Sequence, residues 1–383
     1  MPKKRVLNVG LIGYKFMGKA HSNAWRQAPR FFDLPADVHL KTICGRDERA
    51  VHHAAKQFGW DHAETDWRQI IADPEIDIVD ICTPNDTHSE IAIAAARAGK
   101  AILCEKPLAR TVQEAQKMTA SVKRAGVPNM VCHNYRRIPA IALAREMIER
   151  GEIGERIFHL RARYAQDWIV DPNVPLVWRL RSEKAGSGAL GDIFSHIVDL
   201  SRHLIGEFKE ICATTDTFIK RRPIERSGQR SLNRARTGKV TVDDAVTAIG
   251  HFKSGGLFSL EATRFAPGRK NSITLEINGD AGSLYFDFED MNRLKFFSRR
   301  GSKNRQGFCD ILVTEPDHPY MKNWWPPGHI IGYEHTFTHT IVDFAKAVAA
   351  NKDVRPSFED GLSNQRVLEA ASESARSRKW VKL

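Results

Sequence analysis

Several features that would fix a protein's class at once are missing from this sequence. No run of about 18 apolar residues occurs, so no membrane-crossing helix and no membrane partner are expected. The N-terminal stretch MPKKRVLNVGLIG starts basic but lacks the long apolar region and cleavage site of a secretory leader, and reads as a first strand. Six cysteines (Cys44, Cys82, Cys104, Cys132, Cys212 and Cys309) lie far apart, with no C-x-x-C among them. That excludes a disulfide framework and a zinc ribbon, and it suggests small buried thiols in a reducing compartment, hence a cytoplasmic protein. Internal repeats and coiled-coil heptads are absent as well. Acidic residues are outnumbered, and the net charge is +12. Much of that excess lies in residues 220–239, with eight Lys or Arg and one Glu. The segment has no aromatic residue to stack on bases and no zinc-finger or RNA-binding signature. It reads as a solvated or intersubunit loop, and no nucleic-acid partner is expected.

The remaining features describe a folded, two-domain chain. At 383 residues it exceeds one ordinary domain, and a hydrophobic fraction of 42% is enough for real cores. Residues 5–13 form an apolar β run that breaks into Gly13-Tyr14-Lys15-Phe16-Met17-Gly18 and then a helix. Strand, glycine turn and helix are the context of a dinucleotide fingerprint, although Lys15 replaces its middle glycine. Strands are expected at Val38–Cys44, Ile76–Cys82, Ala101–Cys104 and Val127–Cys132, with helices at Ala50–Phe58, Ser89–Ala98 and Thr111–Ala125. This alternation predicts an α/β fold with a doubly wound parallel sheet over about residues 5–133. Ligands of such sheets bind beyond the carboxyl ends of the strands. The cofactor candidates at that rim are Gly13, Lys15, Phe16, Met17, Gly45, Arg46, Thr83, Pro84, Asn85, His88, Glu105 and Lys106. Arg46 stands where an acid would meet an unphosphorylated ribose. It leans towards NADP, with NAD left open.

In the second half, Arg156–Ala165 alternates as a strand, with Phe158, Leu160, Ala162 and Tyr164 on one face. Gly188–Asp199 opens a helix on which Asp192, His196 and Asp199 share a stripe opposite Ile193, Ile197, Leu200 and Leu204. An Asp and a His one turn apart can move a proton; taken alone, the stripe reads first as a solvated helix face. Beyond Gly206 the chain is rich in strands, which marks a different architecture. Residues 298–307 read as a loop. Helices are expected at Tyr333–Ala349 and within Phe358–Ser377. His335 and His339 form H-x-x-x-H, but Thr336 stands where a zinc enzyme has its Glu, and no metal is expected.

GLIGYKFMGKAH, ICTPNDTH, CEKPLA and GALGDIFSHIVDL, in this order, resemble the glucose–fructose oxidoreductase/inositol dehydrogenase (Gfo/Idh/MocA) family over essentially the whole chain. HNYRRIPAIALA, YAQDW and PLVWRLRSEKAGSGALGD are similar to the family's levoglucosan dehydrogenase-type sugar dehydrogenases. The resemblance implies a Rossmann domain followed by an α/β domain with a large, mostly antiparallel open-faced sheet. It also implies a homodimer or homotetramer assembled through that sheet. We place the domains at 1–133 and 134–383, allowing the C-terminal helices to pack back on the first. The family's lysine maps to Lys106, before a Pro107 commonly in cis, and its aspartate and histidine map to Asp192 and His196.

The implied activity is NAD(P)-dependent oxidation of a ring hydroxyl on a sugar, anhydrosugar or cyclitol. His196 and Lys106 would handle the hydroxyl proton, with neither ranked as the base, and Asp192 would orient the hydroxyls or the imidazole. The same three residues would serve an NAD-dependent glycosidase that oxidises a hydroxyl transiently, eliminates the aglycone and re-reduces. Their presence argues against a non-enzymatic regulator. Further substrate candidates are Tyr135, Arg136, Gln166, Asp167, Trp168, Trp178 and Arg179. Arg136, Arg137, Arg179 and Arg181 leave room for an anionic sugar.

Overall fold

A computed structural model describes residues 4–224 and 236–383. Most of the basic 220–239 segment lies outside the described residues. The chain forms two compact units: Met1–Ile138 with Tyr320–Ser363, and Pro139–Pro319 with Asn364–Leu383.

In the first unit, strands β1 (Val6–Ile12), β2 (Asp37–Cys44), β3 (His62–Glu64), β4 (Ile78–Ile81), β5 (Ala101–Cys104) and β6 (Asn129–Val131) make one parallel sheet. Its order is β3-β2-β1-β4-β5-β6, the doubly wound order that reverses direction between β1 and β4. Helices α1 (Phe16–Phe31), α2 (Glu48–Phe58), α3 (Trp67–Ala72), α4 (His88–Arg97) and α5 (Val112–Ala125) connect the strands. The strands β4 and β5 are buried throughout, so their sequences run apolar without alternation. Asp47 caps α2 by accepting from the Ala50 N–H (2.9 Å), and Thr111 caps α5 through the Glu114 N–H (3.1 Å). The short β3 and α3 escape sequence reading because neither is long enough to show a period.

The expected domain boundary after residue 133 is corrected by the structure. Residues 134–138 stay with the first unit because they are tied to the helix Tyr333–Ala350. Asn134 donates to Thr336 Oγ1 (2.8 Å), and Arg137 reaches Asp343 (2.8 Å) and the Arg355 carbonyl (2.7 Å). That helix packs on α1, burying Phe337, Ile341, Val342, Phe344 and Val348 in the core that also holds Leu7, Val9 and Trp25. Each such side chain contributes roughly 1.5–3 kcal/mol on burial, enough together to hold a distant segment on this unit.

The second unit is built on β7 (Ile157–Ala165), β8 (Phe208–Asp216), the hairpin β9 (Arg221–Pro223) and β10 (Thr237–Lys239), β11 (Ala245–Phe252), β12 (Leu257–Thr263), β13 (Ser272–Gly279), β14 (Gly282–Asp287), β15 (Arg293–Ser298), β16 (Cys309–Leu312) and β17 (Val381–Lys382). Nine of these strands form one sheet, β16-β15-β14-β13-β7-β12-β11-β8-β17. Only β7 and β12 pair in parallel within it. Phe208, Phe252 and Phe258 cluster on its buried face, where α6 (Pro139–Glu149) and α8 (Ser195–Leu204) also pack. Of the four residues expected to share a face of β7, Leu160, Ala162 and Tyr164 are buried, while Phe158 at the strand's start is exposed. Between these lies α7 (Ser182–Ala185); the last helices are α9 (Tyr333–Ala350), already described, and α10 (Phe358–Ser377). Among the described residues no helix is long and apolar enough to cross a membrane.

Candidate active site

The first unit's rim begins where β1 ends. Gly13 has φ +107, and a Cβ there would stand 2.6 Å from the Cys82 carbonyl oxygen at the end of β4. A Cβ on Gly18 would overlap the Gly13 carbonyl. Turn, helix and neighbouring strand end are thus packed too closely for side chains, as a pyrophosphate cradle requires. Lys15, the departure from the glycine pattern, takes an ordinary φ of −75 as the N-cap of α1. The middle glycine is therefore not needed for the backbone path. No side chain caps α1 and no acid lies in its first turn, which leaves its first N–H groups available to an anion. Lys15 and Phe16 are exposed, Met17 and Gly45 half-buried, and Arg46 exposed. Thr83 and Pro84 follow β4 at the same rim and are half-buried; Asn85 is buried.

His88 takes a different role from the expected cofactor contact. Its ring is fully buried, with Nδ1 3.1 Å from the Pro107 carbonyl and Nε2 3.0 Å from the Thr83 carbonyl. It ties together the loops that follow β4 and β5. Burial holds its pKa below the ordinary histidine value. The Lys106–Pro107 bond in the second of those loops is cis.

Beneath Lys106 lies a charged cluster. His21 of α1 places Nδ1 2.9 Å from Asp80 Oδ2 and Nε2 3.0 Å from Glu105 Oε1. Trp25 Nε1 also donates to Asp80 (2.8 Å), and the Lys106 N–H donates to Glu105 Oε2 (3.1 Å). Burial opposes charge on His21, yet Asp80 lifts its pKa well above the usual value. Against its own burial, Glu105 is held below the usual carboxylate range by His21 and Lys106.

In the second unit the chain from Ser187 approaches the Asp243 backbone closely; a Cβ on Gly188 would overlap the Asp243 carbonyl. The Asp243 carboxylate accepts from the N–H groups of Gly188 and Leu190, each at 2.7 Å. Burial pushes Asp243 up. This explains the small residues leading into the helix. Leu190–Phe194 then forms a π turn and Ser195–Leu204 an α-helix, so the regular α-helical stripe through Asp192 and His196 is interrupted. A π turn of this kind is frequent at functional sites. The helix is buried almost all round, and the solvated-face reading falls: His196 is 5% exposed and Asp199 1%. Asp199 supports the fold by accepting from Asn364 of α10 (2.8 Å). The His196 ring tilts against Tyr164 with centroids 5.8 Å apart.

Sequence reading missed the partner of Asp192. Arg264, fully buried, donates from Nη2 to Asp192 Oδ2 at 2.7 Å and lies over the Trp168 ring at 5.4 Å. It follows Phe258, Leu260 and Ala262 on the inward phase of β12, and an arginine continuing an inward apolar phase is the signal that could have found it. Arg222, read as part of a solvated loop, is likewise buried and donates to the carbonyls of Asp171, Val174 and Ile169. It clamps the loop after Trp168.

The remaining substrate candidates divide between the units. Tyr135 and Arg136 are buried in the first. Arg137 is used up by Asp343 and a backbone carbonyl and is no anion receptor. In the second, Gln166 donates to Asn271 Oδ1 (2.8 Å), which also accepts from Tyr164 (2.6 Å). Asp167 is engaged by Lys270 (2.8 Å) and the Gly268 N–H (3.1 Å). Arg179 stacks over Trp178 at 4.4 Å, and Arg181 lies 3.9 Å from Glu183.

The H-x-x-x-H residues are committed elsewhere. His335 Nδ1 accepts from the Gly332 N–H (3.1 Å), and His339 lies between Trp324 Nε1 (2.7 Å) and the Arg137 carbonyl (2.9 Å). Among the described residues, the His, Cys, Asp and Glu groupings close enough for one metal ion all centre on His21. Each nitrogen of that ring already faces a carboxylate, Nδ1 at Asp80 and Nε2 at Glu105.

Known proteins are similar to nearly the whole chain. A family model described as the NAD-binding Rossmann fold of the GFO/IDH/MocA oxidoreductases matches residues 7–133, and the GFO/IDH/MocA C-terminal domain matches 141–285. The chain is 46% identical over 382 residues to levoglucosan dehydrogenase from Pseudarthrobacter phenanthrenivorans, covering 98% of this chain and 97% of the relative. The solved structure of an oxidoreductase domain protein from Kribbella flavida is 53% identical with a TM-score of 0.94, covering 99% of each chain. Levoglucosan dehydrogenase in complex with NADH and levoglucosan is 46% identical with a TM-score of 0.94, again covering 99% of each chain.

Proposed function

The chain belongs to the GFO/IDH/MocA oxidoreductase family, and from that premise we propose that it is an NAD-dependent dehydrogenase acting on a ring hydroxyl of a sugar, anhydrosugar or cyclitol. The observation that carries the reading is the glycine cradle at the reversal point of the sheet, with Lys106 after β5 on the same rim. A proton-handling amine at a dinucleotide site is what alcohol oxidation needs. The related levoglucosan dehydrogenase, solved with NADH and levoglucosan, supports it.

The dinucleotide would lie against Gly13–Met17, with Gly45 and Arg46 at its adenosine end and Thr83–Asn85 along its length. When bound, its nicotinamide supplies the hydride acceptor. Lys106 donates a hydrogen bond to the reacting hydroxyl oxygen and stabilises the charge that develops there. His196 takes the hydroxyl proton, and Asp192, held by Arg264, orients the neighbouring hydroxyls. Trp168, Trp178 and Arg179 line the sugar. NADH in the related structures favours NAD, and we assign Arg46 to the adenine face.

We further propose a cytoplasmic homo-oligomer assembled through the open face of the nine-stranded sheet, where Ile249 and Leu257 are exposed. Light scattering checks this; a monomer at working concentration refutes it. For the activity, the protein is incubated with a panel of sugars, anhydrosugars, cyclitols and glycosides plus NAD or NADP. Reduced nicotinamide is followed by absorbance, and aglycone by release. Reduced NAD with a free sugar supports the reading. Aglycone released with no net reduction from any sugar overturns it in favour of a redox-neutral glycosidase.

A further inference from the structure

The His21 cluster has a feature that fold maintenance alone does not explain. A carboxylate oxygen faces each ring nitrogen: Asp80 at 2.9 Å from Nδ1 and Glu105 at 3.0 Å from Nε2. A neutral imidazole has one N–H and one lone pair. In a site with no exposure, that lone pair would face a carboxylate oxygen without water between them, a costly arrangement. A hydrogen on each nitrogen removes that conflict and makes both contacts charge-assisted hydrogen bonds. Two thiols, a phenol and an aromatic ring also face His21. Cys82 follows β4, Cys132 follows β6 with Sγ 3.5 Å from Nε2, and α9 contributes Tyr333 and the Phe337 ring at 5.5 Å. Burial raises both thiols and Tyr333, which keeps them neutral.

We infer that His21 is a positioning residue of the reaction, a doubly protonated imidazole whose two N–H groups lock Asp80 and Glu105 at adjacent strand ends and, through Glu105, hold Lys106. The connection is direct. Glu105 Oε1 accepts from the ring while its Oε2 accepts from the Lys106 N–H at 3.1 Å. Trp25 fixes Asp80 from the same helix at 2.8 Å. Helix α1 therefore does two things: its N-terminus offers N–H groups to the dinucleotide, and its second turn secures the strand end that carries the reacting amine. This inference rests on the role proposed for Lys106.

The test uses the full-length protein, wild type and His21→Gln, labelled on histidine nitrogen and lysine carbon. In the wild type one histidine should show two protected ring N–H signals that persist above neutral pH and are absent from the variant. The Lys106 signal, assigned with Lys106→Arg, should move in His21→Gln. Turnover should fall about 10²-fold, as expected for a misplaced reacting group, while the NADH dissociation constant changes less than about threefold. A His21 ring that carries one proton at neutral pH overturns the inference, as does an unmoved Lys106 signal, or turnover in His21→Gln close to wild type. If the wild type oxidises no sugar, the dehydrogenase reading fails, and the two NMR readouts still decide the positioning role.

Discussion

Each unit of the molecule buries one cation against a carboxylate among its own candidate residues, and the two cations differ in kind. In the first unit His21 holds Glu105, next to Lys106. In the second Arg264 holds Asp192. A guanidinium stays charged at any working pH and carries a fixed fork of donors. An imidazolium can lose its proton, and here it keeps it only because two carboxylates flank it. The support under Asp192 is thus permanent, while the support under Lys106 depends on a proton. The same geometric task has been solved once by a residue that cannot titrate and once by one that can.

The largest expected effects test whether both units contribute chemistry at all. Lys106→Ala and His196→Ala should each lower turnover about 10²–10⁴-fold, measured with the sugar identified in the substrate panel. If one variant stays near wild type while the other falls, proton handling belongs to a single unit and the comparison collapses to scaffolding on the other side.

Next in size is Arg264. Arg264→Leu leaves Asp192 without its 2.7 Å donor and replaces a fully buried side chain. We expect a loss of about 1.5–3 kcal/mol in unfolding free energy, the scale of a hydrogen bond to a charged group, with a parallel drop in turnover. Arg264→Lys keeps the charge but not the fork and should recover stability more than turnover. Equal recovery of both would make Arg264 a packing residue.

These clusters also mark the limit of what the sequence reveals. The six-stranded sheet was legible because its strands and helices alternate and its glycine turn stands in context. Asp80 lies inside the apolar run IDIVDIC, and an acid within a fully buried strand announces a buried partner. Nothing local says that the partner is His21, 59 positions away. Arg264 likewise extends the inward phase of β12, but Asp192 lies 72 positions off. The π turn at Leu190–Phe194 left no trace, since its glycine and small neighbours show no period that differs from an α-helix. The return of α9 to the first unit was allowed for when the domains were placed, but the helix's own residues do not demand it. Its apolar positions predict a buried helix without specifying which sheet it covers.

The difference between the cations gives a pH signature. The folded pKa of His21 is raised above its unfolded value near 6.5. Its stabilisation is therefore complete below that value and is lost as pH rises through the folded pKa. The stability gap between wild type and His21→Gln, read by denaturant unfolding, should be widest at and below about pH 6.5 and narrow in the alkaline range. The gap for Arg264→Leu, where the lost guanidinium does not titrate, should stay level over the same range. A His21 gap that does not narrow would mean the ring is not an imidazolium in the folded state, and the two regions would then be alike.

The smallest effect separates how each cluster is completed by an aromatic ring. Trp25 donates an N–H to Asp80 at 2.8 Å in a fully buried setting. Trp168 offers Arg264 its ring face at 5.4 Å and remains partly exposed. Trp25→Phe removes a donor from a carboxylate that keeps the His21 contact. The expected loss is about 1–2 kcal/mol, because a hydrogen bond to a charged group is lost with only modest change in volume. Trp168→Leu removes a cation–π contact between a buried guanidinium and a partly exposed ring, worth about 0.5–1 kcal/mol. The two should also differ with salt. The Trp25 cluster is sealed, so its loss should be the same at low and high ionic strength, while the Trp168 contact, with solvent on one side of the ring, should show a small weakening with screening. Equal, salt-insensitive losses would show that Trp168 acts by packing alone, and Arg264 would then hold Asp192 without help from the ring above it.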